Sequence, residues 1–225
     1  MPFQILPKWI QFGAFMLAVN AGMINVLGLI SLLHQSVSHM TGNASLIAVS
    51  VFEHDFASVS FLILILISYV LGSSLSGYIL GNSAFKLGRR YGIPLSLVTL
   101  FIVLCWVFIA GYPHYALLWA CAAMGVQNAM VSHYQGAIIR TTHLSGVLTD
   151  LGLALGYAFR GLKNEPKKII LHLLILFGFI LGSLIAAFAH PYLQLHAFLM
   201  PASLSLALTL AYWFIYFRYS RLQMS

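Results

Sequence analysis

Four long stretches of the sequence contain no Asp, Glu, Lys or Arg, and they limit the possible folds more than any other feature. They cover residues 9–52, 56–85, 91–139 and 169–217, with lengths of 44, 30, 49 and 49 residues. A single helical crossing of the hydrocarbon core of a bilayer needs about 20 apolar residues. The longest stretches can therefore each hold two crossings if a turn interrupts them.

The composition indicates that lipid is the solvent for this chain. Apolar residues make up 61% and charged residues 7%, whereas a soluble domain averages about 45–50% and about 25%. These values exclude a soluble enzyme, a disordered tail and a fibre. The apolar stretches also lack the alternation of a membrane β-barrel strand. Cys105 and Cys121 lie inside the stretches, so we expect both to be small buried hydrophobic side chains.

Glycine and proline mark the turns between successive crossings. Gly81-Asn82, Gly111-Tyr112-Pro113 and His190-Pro191 each follow an apolar segment, and Gly92-Ile93-Pro94 precedes one. The chain is therefore predicted to be an all-α polytopic membrane protein, a single transmembrane domain over residues 1–225. Its six predicted helices lie at about 10–33, 56–81, 93–111, 115–135, 169–189 and 196–217.

The basic residues orient these helices. With a cytoplasmic N-terminus, all 11 Lys and Arg fall in cytoplasmic segments, and the outside segments carry Glu53 and Asp55. Cytoplasmic loops of membrane proteins carry such an excess of Lys and Arg, and five or seven crossings would break the partition. We therefore predict that both termini are cytoplasmic. The net charge of +7 is interpreted as a topology signal, and no nucleic-acid partner is expected.

The two halves of the chain share three short motifs in the same order, which predicts a duplication with repeats at about 10–111 and 115–217. Because each repeat holds three crossings, the second is expected to be inverted relative to the first. The matches are Gly22-Met23-Ile24-Asn25 with Gly125-Val126-Gln127-Asn128 at an offset of 103, His39-Met40-Thr41-Gly42 with His143-Leu144-Ser145-Gly146 at 104, and Leu71-Gly72-Ser73 with Leu181-Gly182-Ser183 at 110.

A short apolar stretch follows the histidine motif in each half. The two stretches, 43–52 and 147–159, are too short to cross the hydrocarbon as helices. We predict broken or re-entrant half-helices that begin near the midplane and end on opposite sides, at Glu53-His54-Asp55 outside and at Arg160 in the cytoplasm. The alternative is that both regions are surface loops with amphipathic helices at the interface.

The N-termini of the half-helices are the predicted site. Thr41 or Asn43 is expected to cap the first half-helix and Ser145 the second. Gly42 and Gly146 are expected where backbone approaches backbone or a ligand. Helix N-termini carry free N–H groups and a positive dipole end, so two that face each other would bind a ligand with acceptor or anionic groups.

Polar side chains at membrane depth are candidates for function because they are costly there. His39 and His143 could relay protons or bind a solute, and a buried neutral pair is the equal alternative. Asp150 is the candidate for ion or proton coupling, and an ion pair with Arg140 or Arg160 is the alternative. The candidate substrate-binding residues are Asn25, His39, Thr41, Gly42, Asn43, Gln127, Asn128, His143, Ser145 and Gly146.

These candidates leave several structural alternatives open. Asn25, Gln127 and Asn128 could equally well form hydrogen bonds between adjacent helices. Close helix packing accounts for Gly72, Gly77, Gly182 and Ser183. No metal site is predicted, because a site needs three or four ligands and His133 is the one additional candidate near the histidine pair. No nucleotide-binding motif is present, so no cofactor is expected.

Three of the motifs indicate a known family. Met40-Thr41-Gly42-Asn43, Met124-Gly125-Val126-Gln127-Asn128-Ala129 and Thr141-Thr142-x-x-Ser145-Gly146 resemble the YoaK family of bacterial inner-membrane proteins, whose function is unknown. The resemblance covers essentially the whole chain and implies a polytopic protein of the inner membrane. The family commonly has Asp followed by Ala at Asn25-Val26, and Thr-Gly at Ser145-Gly146.

The function that these features favour is passive or ion-coupled movement of a small solute through a transporter or channel. A non-catalytic membrane subunit or scaffold is the first alternative. An intramembrane enzyme is the second, since Ser145, His143 and Asp150 are suitable residue types for a triad, although their spacing is poor. The expected partners are the bilayer and an unidentified solute, and a homo-oligomer is compatible with the sequence.

Overall fold

The computed structural model describes residues 7–81, 89–132, 141–162 and 166–222, and within these ranges the secondary structure is helical. A short 3₁₀ helix, Gln194–Phe198, joins the last two α-helices. The α-helices are α1 (Lys8–Ser31), α2 (Met40–Phe52), α3 (Phe56–Leu80), α4 (Arg89–Phe108), α5 (Pro113–Ser132), α6 (Leu144–Phe159), α7 (Pro166–Leu193) and α8 (Leu199–Leu222).

Four helical stretches are long and apolar enough to cross a membrane: Lys8–Ser31, Phe56–Leu80, Tyr91–Phe108 and the 53 residues of Pro166–Arg218. The last of these contains α7, the 3₁₀ helix and most of α8. Helix α5 has 20 residues but includes a Gln127-Asn128 pair that lowers its hydropathy. Helices α2 and α6 have 13 and 16 residues, or about 20 Å and 24 Å of length, which is less than the roughly 30 Å hydrocarbon core.

The distribution of side chains is that of a protein in lipid. Large apolar side chains on the long helices point outward, and Leu71 and Phe177 are 63% and 61% exposed. Asn20 and Gln127, by contrast, are 0% exposed. A soluble monomer rarely exposes large contiguous apolar patches. The chain therefore forms a helical membrane protein with a partly polar interior, and Cys105 and Cys121 are buried free thiols as predicted.

Both short helices end in the same backbone motif. After α6, Leu162 N–H donates to Tyr157 O and Gly161 N–H donates to Ala158 O, with Gly161 at φ 67. After α2, the same two bonds join Asp55 to Ser50 and His54 to Val51, with His54 at φ 57. This is a Schellman motif, and the predicted ends at Arg160 and at Glu53-His54-Asp55 are confirmed.

Two prolines do not bound helices where the sequence predicted. The helix predicted to be entered at Gly92-Ile93-Pro94 already begins at Arg89, so Pro94 lies inside α4, and Pro191 lies inside α7, which continues to Leu193. A proline near a helix end removes one backbone bond. In an apolar environment, a longer helix satisfies more backbone groups than an open turn does. By contrast, the predicted helix end at Gly81 is confirmed, since α3 ends at Leu80 and Gly81 has φ 60.

Helix pairs from opposite halves of the chain pack closely through glycine. Helix α1 packs chiefly against α7, and α3 packs against α5. A Cβ atom on Gly22 would collide with Phe179 O, and one on Gly182 would collide with Val19 O. Equivalent collisions would occur between Gly125 and Tyr69 O and between Gly72 and Ala122 O.

Serine hydroxyls bind across the same two contacts. Ser183 Oγ donates to Gly22 O at 3.2 Å, and Ser73 Oγ donates to Gly125 O at 3.1 Å. Close packing at Gly72, Gly182 and Ser183 is thus confirmed. The expectation for Gly77 is wrong, because a Cβ there has nothing within 4 Å.

Candidate functional site

Asn25 holds the segment that leads from α1 into α2. Its Oδ1 accepts from Ser36 Oγ at 3.1 Å, from Ser38 N at 3.3 Å and from Ser38 Oγ at 3.1 Å. His39 Nδ1 lies 3.3 Å from the same oxygen. Leu33 and His34 have φ of 56 and 54, which reverses the chain so that residues 36–39 return to α1.

His39 has two polar neighbours at its Nδ1 atom. Asn25 Oδ1 accepts a hydrogen bond from Nδ1 in the tautomer that carries its proton on that atom. The Nδ1 atom is also 3.0 Å from Ser36 Oγ, which in turn accepts from His39 N–H at 3.0 Å. The imidazole also makes a T-shaped contact with Phe179, with the ring centroids 6.0 Å apart.

The two predicted half-helices begin at equivalent residues. His39 is the N-cap of α2 with φ −94 and ψ 70, and His143 is the N-cap of α6 with φ −89 and ψ 64. The two imidazoles lie close enough for their charges to interact. Met40 and Leu144, the first residues of the two helices, pack against the same hydrophobic cluster. The N-termini of α2 and α6 therefore lie against one hydrophobic cluster.

The starts of both helices differ from the sequence prediction. Each begins three residues earlier than predicted, and neither N-terminus has a side-chain cap. The predicted caps at Thr41, Asn43 and Ser145 are wrong. Asn43 is 1% exposed because its Nδ2 turns inward and donates to Ser36 O at 3.0 Å, while Thr41 and Ser145 are exposed.

The two site glycines also differ from each other. A Cβ on Gly146 would lie 2.5 Å from Nδ1 of His143, so the close approach predicted there is to a side chain. A Cβ on Gly42 has nothing within 4 Å. The prediction that backbone approaches backbone at Gly42 is therefore wrong, because Gly42 lies on the open side of the first turn of α2.

Gln127 and Asn128 form a buried network that holds the segment before α6. Gln127 Nε2 donates to Thr141 Oγ1 at 3.1 Å and to Leu17 O at 2.9 Å. Asn128 Nδ2 donates to Thr142 Oγ1 at 2.7 Å and to Tyr69 Oη at 2.8 Å. Asn128 thus positions the entry to α6 as Asn25 positions the entry to α2.

Asp150 forms an ion pair different from the predicted one. Its Oδ2 lies 3.1 Å from Lys168 Nζ and 3.6 Å from Nε2 of the buried His172, both on α7. Arg160 forms the C-cap of α6, and Arg140 lies outside the described residues. Asp150 therefore ties α6 to α7.

The site presents a definite set of chemical groups. Two helix N-termini carry no side-chain cap, so side chains leave their first N–H groups unpaired. Within the described ranges, no group of three or more His, Cys, Asp or Glu could hold a metal ion. His133, the additional metal candidate, lies outside those ranges.

Several residues of this region were not among the sequence candidates. They carry the polar contacts at the entries to α2 and α6. Ser38 and Thr142 share the offset of 104 that relates the two histidines, so that offset was a usable signal. Asn20 corresponds to Ala123 in the other half, so the repeat could not have identified it. The only sequence feature that could have identified it is its polarity at the centre of α1. The residues are Asn20, Ser36, Ser38, Tyr69, Thr141 and Thr142.

Comparison with known proteins identifies the family but no solved relative. The chain is 24% identical over 184 residues to the UPF0700 transmembrane protein YoaK of Bacillus subtilis (strain 168), a match that covers 78% of this chain and 82% of that protein. No solved structure matches. The model of a family described as protein of unknown function, DUF1275, matches residues 13–211. The resemblance drawn from the motifs is confirmed, and the chain belongs to this DUF1275 family of membrane proteins.

Proposed function

We propose that this protein is a transporter or channel for a small polar solute in the bacterial inner membrane. In this proposal the chain crosses the bilayer six times with both termini in the cytoplasm. Its halves are inverted repeats, and α2 and α6 are half-helices whose N-termini meet near the midplane. The solute binds there, and movement is passive or coupled to an ion.

The repeat of contacts at constant sequence offsets carries the proposal. The contact between Gly22 and Phe179 O has an equivalent in the contact between Gly125 and Tyr69 O. The second contact is obtained from the first by adding 103 to the residue number in α1 and subtracting 110 from the residue number in α7. The same operation converts the Gly182 contact into the Gly72 contact, and the Ser183 bond into the Ser73 bond. Such agreement supports two repeats that share one fold and interlock, the architecture of many secondary transporters.

The chemistry of the meeting point also supports transport. Non-helical backbone at membrane depth is tolerated where protein buries it or where it lines a wet cavity. The segments before α2 and α6 are held by side chains of α1 and α5, and the first residues of both helices pack against one hydrophobic cluster. Solute sites of transporters lie at such broken helices near the midplane.

The test is uptake into proteoliposomes that contain the purified protein, with a broad panel of radiolabelled metabolites and with or without a pH gradient. We expect uptake of at least one solute above empty liposomes. Asn25→Leu should remove it, and Glu53→Gln, on the exposed turn before α3, should leave it unchanged because an exposed charge is cheaply replaced. Absence of uptake together with copurification of a second membrane protein would favour the scaffold alternative.

A further inference from the structure

Helices α6 and α7 hold a pair of titratable side chains that the site at the helix N-termini does not use. Nε2 of His172 on α7 lies 3.6 Å from Oδ2 of Asp150 on α6, which is ion-pair distance when the imidazole carries a proton. Lys168 Nζ lies 3.1 Å from the same oxygen. The His172 side chain is 3% exposed and the Asp150 side chain 38%. A buried group that titrates near neutral pH therefore faces an open carboxylate.

The first half of the chain has two leucines at the equivalent positions. Helices α2 and α6 begin at residues related by an offset of 104, and α3 and α7 begin at residues related by an offset of 110. At the first offset the counterpart of Asp150 is Leu46, which is 40% exposed. At the second offset the counterpart of His172 is Leu62, which is 3% exposed. Helix α2 packs against α3 as α6 packs against α7, so an equivalent helix contact forms in this chain with apolar side chains.

The repeat therefore indicates that the charged side chains are not needed to join the two helices. Replacing a buried ion pair with apolar residues of similar volume is often neutral or stabilising. Ionisable side chains within a membrane are rare and costly, and they mark ion paths and proton relays because they face the protein interior or a water-filled cavity. Asp150 and His172 fit this description, since the carboxylate is open and the imidazole is buried against it.

The pair lies part of the way along the proposed solute path. Asp150 is six residues after the first residue of α6 and ten before the C-cap at Arg160, or about 9 Å and about 15 Å along the helix axis. His172 is six residues into α7, about 9 Å from its start. In the proposed topology α6 ends and α7 begins in the cytoplasm. The pair then lies between the solute site and the cytoplasm.

The charges around the imidazole allow it to accept one more proton. Asp150 and Lys168 balance each other, so the three side chains carry no net charge while His172 is neutral. A proton that adds to the neutral ring makes an imidazolium whose Nε2–H faces the carboxylate, and an opposite charge at this distance favours the charged form.

The other described groups on the neighbouring elements do not share this property. Lysines and phenols titrate at about pH 10, and His190 and His196 are at the opposite end of α7. The lysines and tyrosines on α1, α6 and the start of α7 and in the adjoining hydrophobic cluster are Lys8, Tyr91, Tyr157, Lys167 and Tyr212.

We propose that Asp150 and His172 form a proton-binding site, and that the proton bound there is the ion whose movement is coupled to that of the solute. The proton comes from water, adds to the imidazole, is held by the Asp150 carboxylate and returns to water when the ring becomes neutral. The coupling rests on the proposed function, whereas the proton site is tested without a solute.

Nuclear magnetic resonance of the histidine nitrogens tests the proton site directly. The chain is prepared with isotope-labelled histidine in lipid nanodiscs, and the resonances lost in His172→Leu identify His172. From about pH 5 to about pH 8 we expect this ring to change from imidazolium to imidazole. Asp150→Asn should move the midpoint of that change, because it removes the facing charge. Asp55→Asn, which removes a carboxylate before α3, is the matched control and should leave the midpoint unchanged.

A double variant separates proton coupling from helix packing. Asp150→Leu/His172→Leu gives the second half the side chains that the first half has, so we expect its Tm in detergent to equal that of the wild type. Lys168 is 36% exposed and reaches water without its partner. In proteoliposomes, solute uptake should continue but should lose its stimulation by a pH gradient. Asp150→Asn/His172→Gln, which keeps both sites polar, should lose the same stimulation.

Four results would overturn this inference. They are an imidazole at residue 172 that keeps one form over the whole pH range, an unchanged midpoint in Asp150→Asn, gradient stimulation in the double variants equal to that of the wild type, or a lower Tm in both double variants, which would make the pair structural. Absence of uptake by the wild type, with a His172 midpoint that still moves in Asp150→Asn, would instead remove the proposed function and leave the proton site intact.

Discussion

At the scale of single residues, Asn25 does the most to shape the site. Four polar atoms of Ser36, Ser38 and His39 lie within 3.3 Å of its Oδ1. One oxygen thereby holds the chain reversal after α1. Asn128 has the equivalent position in the second half and binds Thr142 and Tyr69.

Substitution of Asn25 should separate its two properties, shape and hydrogen bonding. Asn25→Leu keeps the volume but leaves buried donors unpaired, at about 1–3 kcal/mol for each, so we expect a clear fall in Tm in detergent. Asn25→Asp keeps an oxygen at the same place and strengthens the bonds through charge, so its Tm should stay near that of the wild type. If the Leu variant is as stable as the wild type, these hydrogen bonds do not hold the loop.

At the scale of elements, the sequence predicted which segments are helical better than how the helices begin. Apolar stretches and glycine were enough to predict the short helices and their ends, because hydrophobicity and positive φ are local properties. The caps could not be predicted, because the side chain of Asn43 donates to Ser36 O and not to its own helix. That contact exists only once the chain has reversed before α2. Likewise, the Asp150–Lys168 pair depends on how α6 lies against α7.

Glycine packing gives a prediction for the long helices. Gly22→Ala would force Phe179 O and the α7 backbone away from α1, and overpacking of this kind costs about 1–3 kcal/mol. Gly77→Ala is the matched control, since nothing lies within 4 Å of its Cβ position. Thermal unfolding in detergent should show a lower Tm for Gly22→Ala and the Tm of the wild type for Gly77→Ala. Equal values would contradict the close α1–α7 packing.

Asp55 provides a pH-dependent contact at the start of α3. Its Oδ1 accepts from Ser58 N at 3.1 Å, and hydrogen bonds from the Ser58 side chain and backbone hold the pKa of this carboxyl below its usual value. The stabilisation is therefore present above the usual pKa of Asp and is lost as the pH falls through the lowered pKa. Asp55→Asn keeps a capping oxygen but does not titrate. We therefore expect the Tm of this variant to fall less than that of the wild type between pH 7 and pH 3. An unchanged pH profile would show that the cap does not contribute.

At the scale of the whole molecule, the motif offsets contained more information than the composition. The motif that begins at Gly22 recurs 103 residues later, and Leu71-Gly72-Ser73 recurs 110 residues later. The same two offsets relate the helix contacts of the two halves. What the sequence could not indicate is that each half packs chiefly against the other, because pairing of α1 with α7 is a long-range choice. Asn20 was missed although its polarity within an apolar stretch was visible in the sequence, because its counterpart in the other half is Ala123.

The central claim is that the two halves are inserted in opposite orientations, and membrane-impermeant thiol labelling tests it most directly. Cysteines introduced at His54, which follows α2, and at Leu162, which follows α6, are placed one at a time in a Cys105→Ala, Cys121→Ala background. In intact cells we predict labelling of the cysteine at 54 and none at 162, with the reverse in inside-out vesicles. Labelling of both from the same side would contradict the inverted repeat and, with it, the proposed transport site.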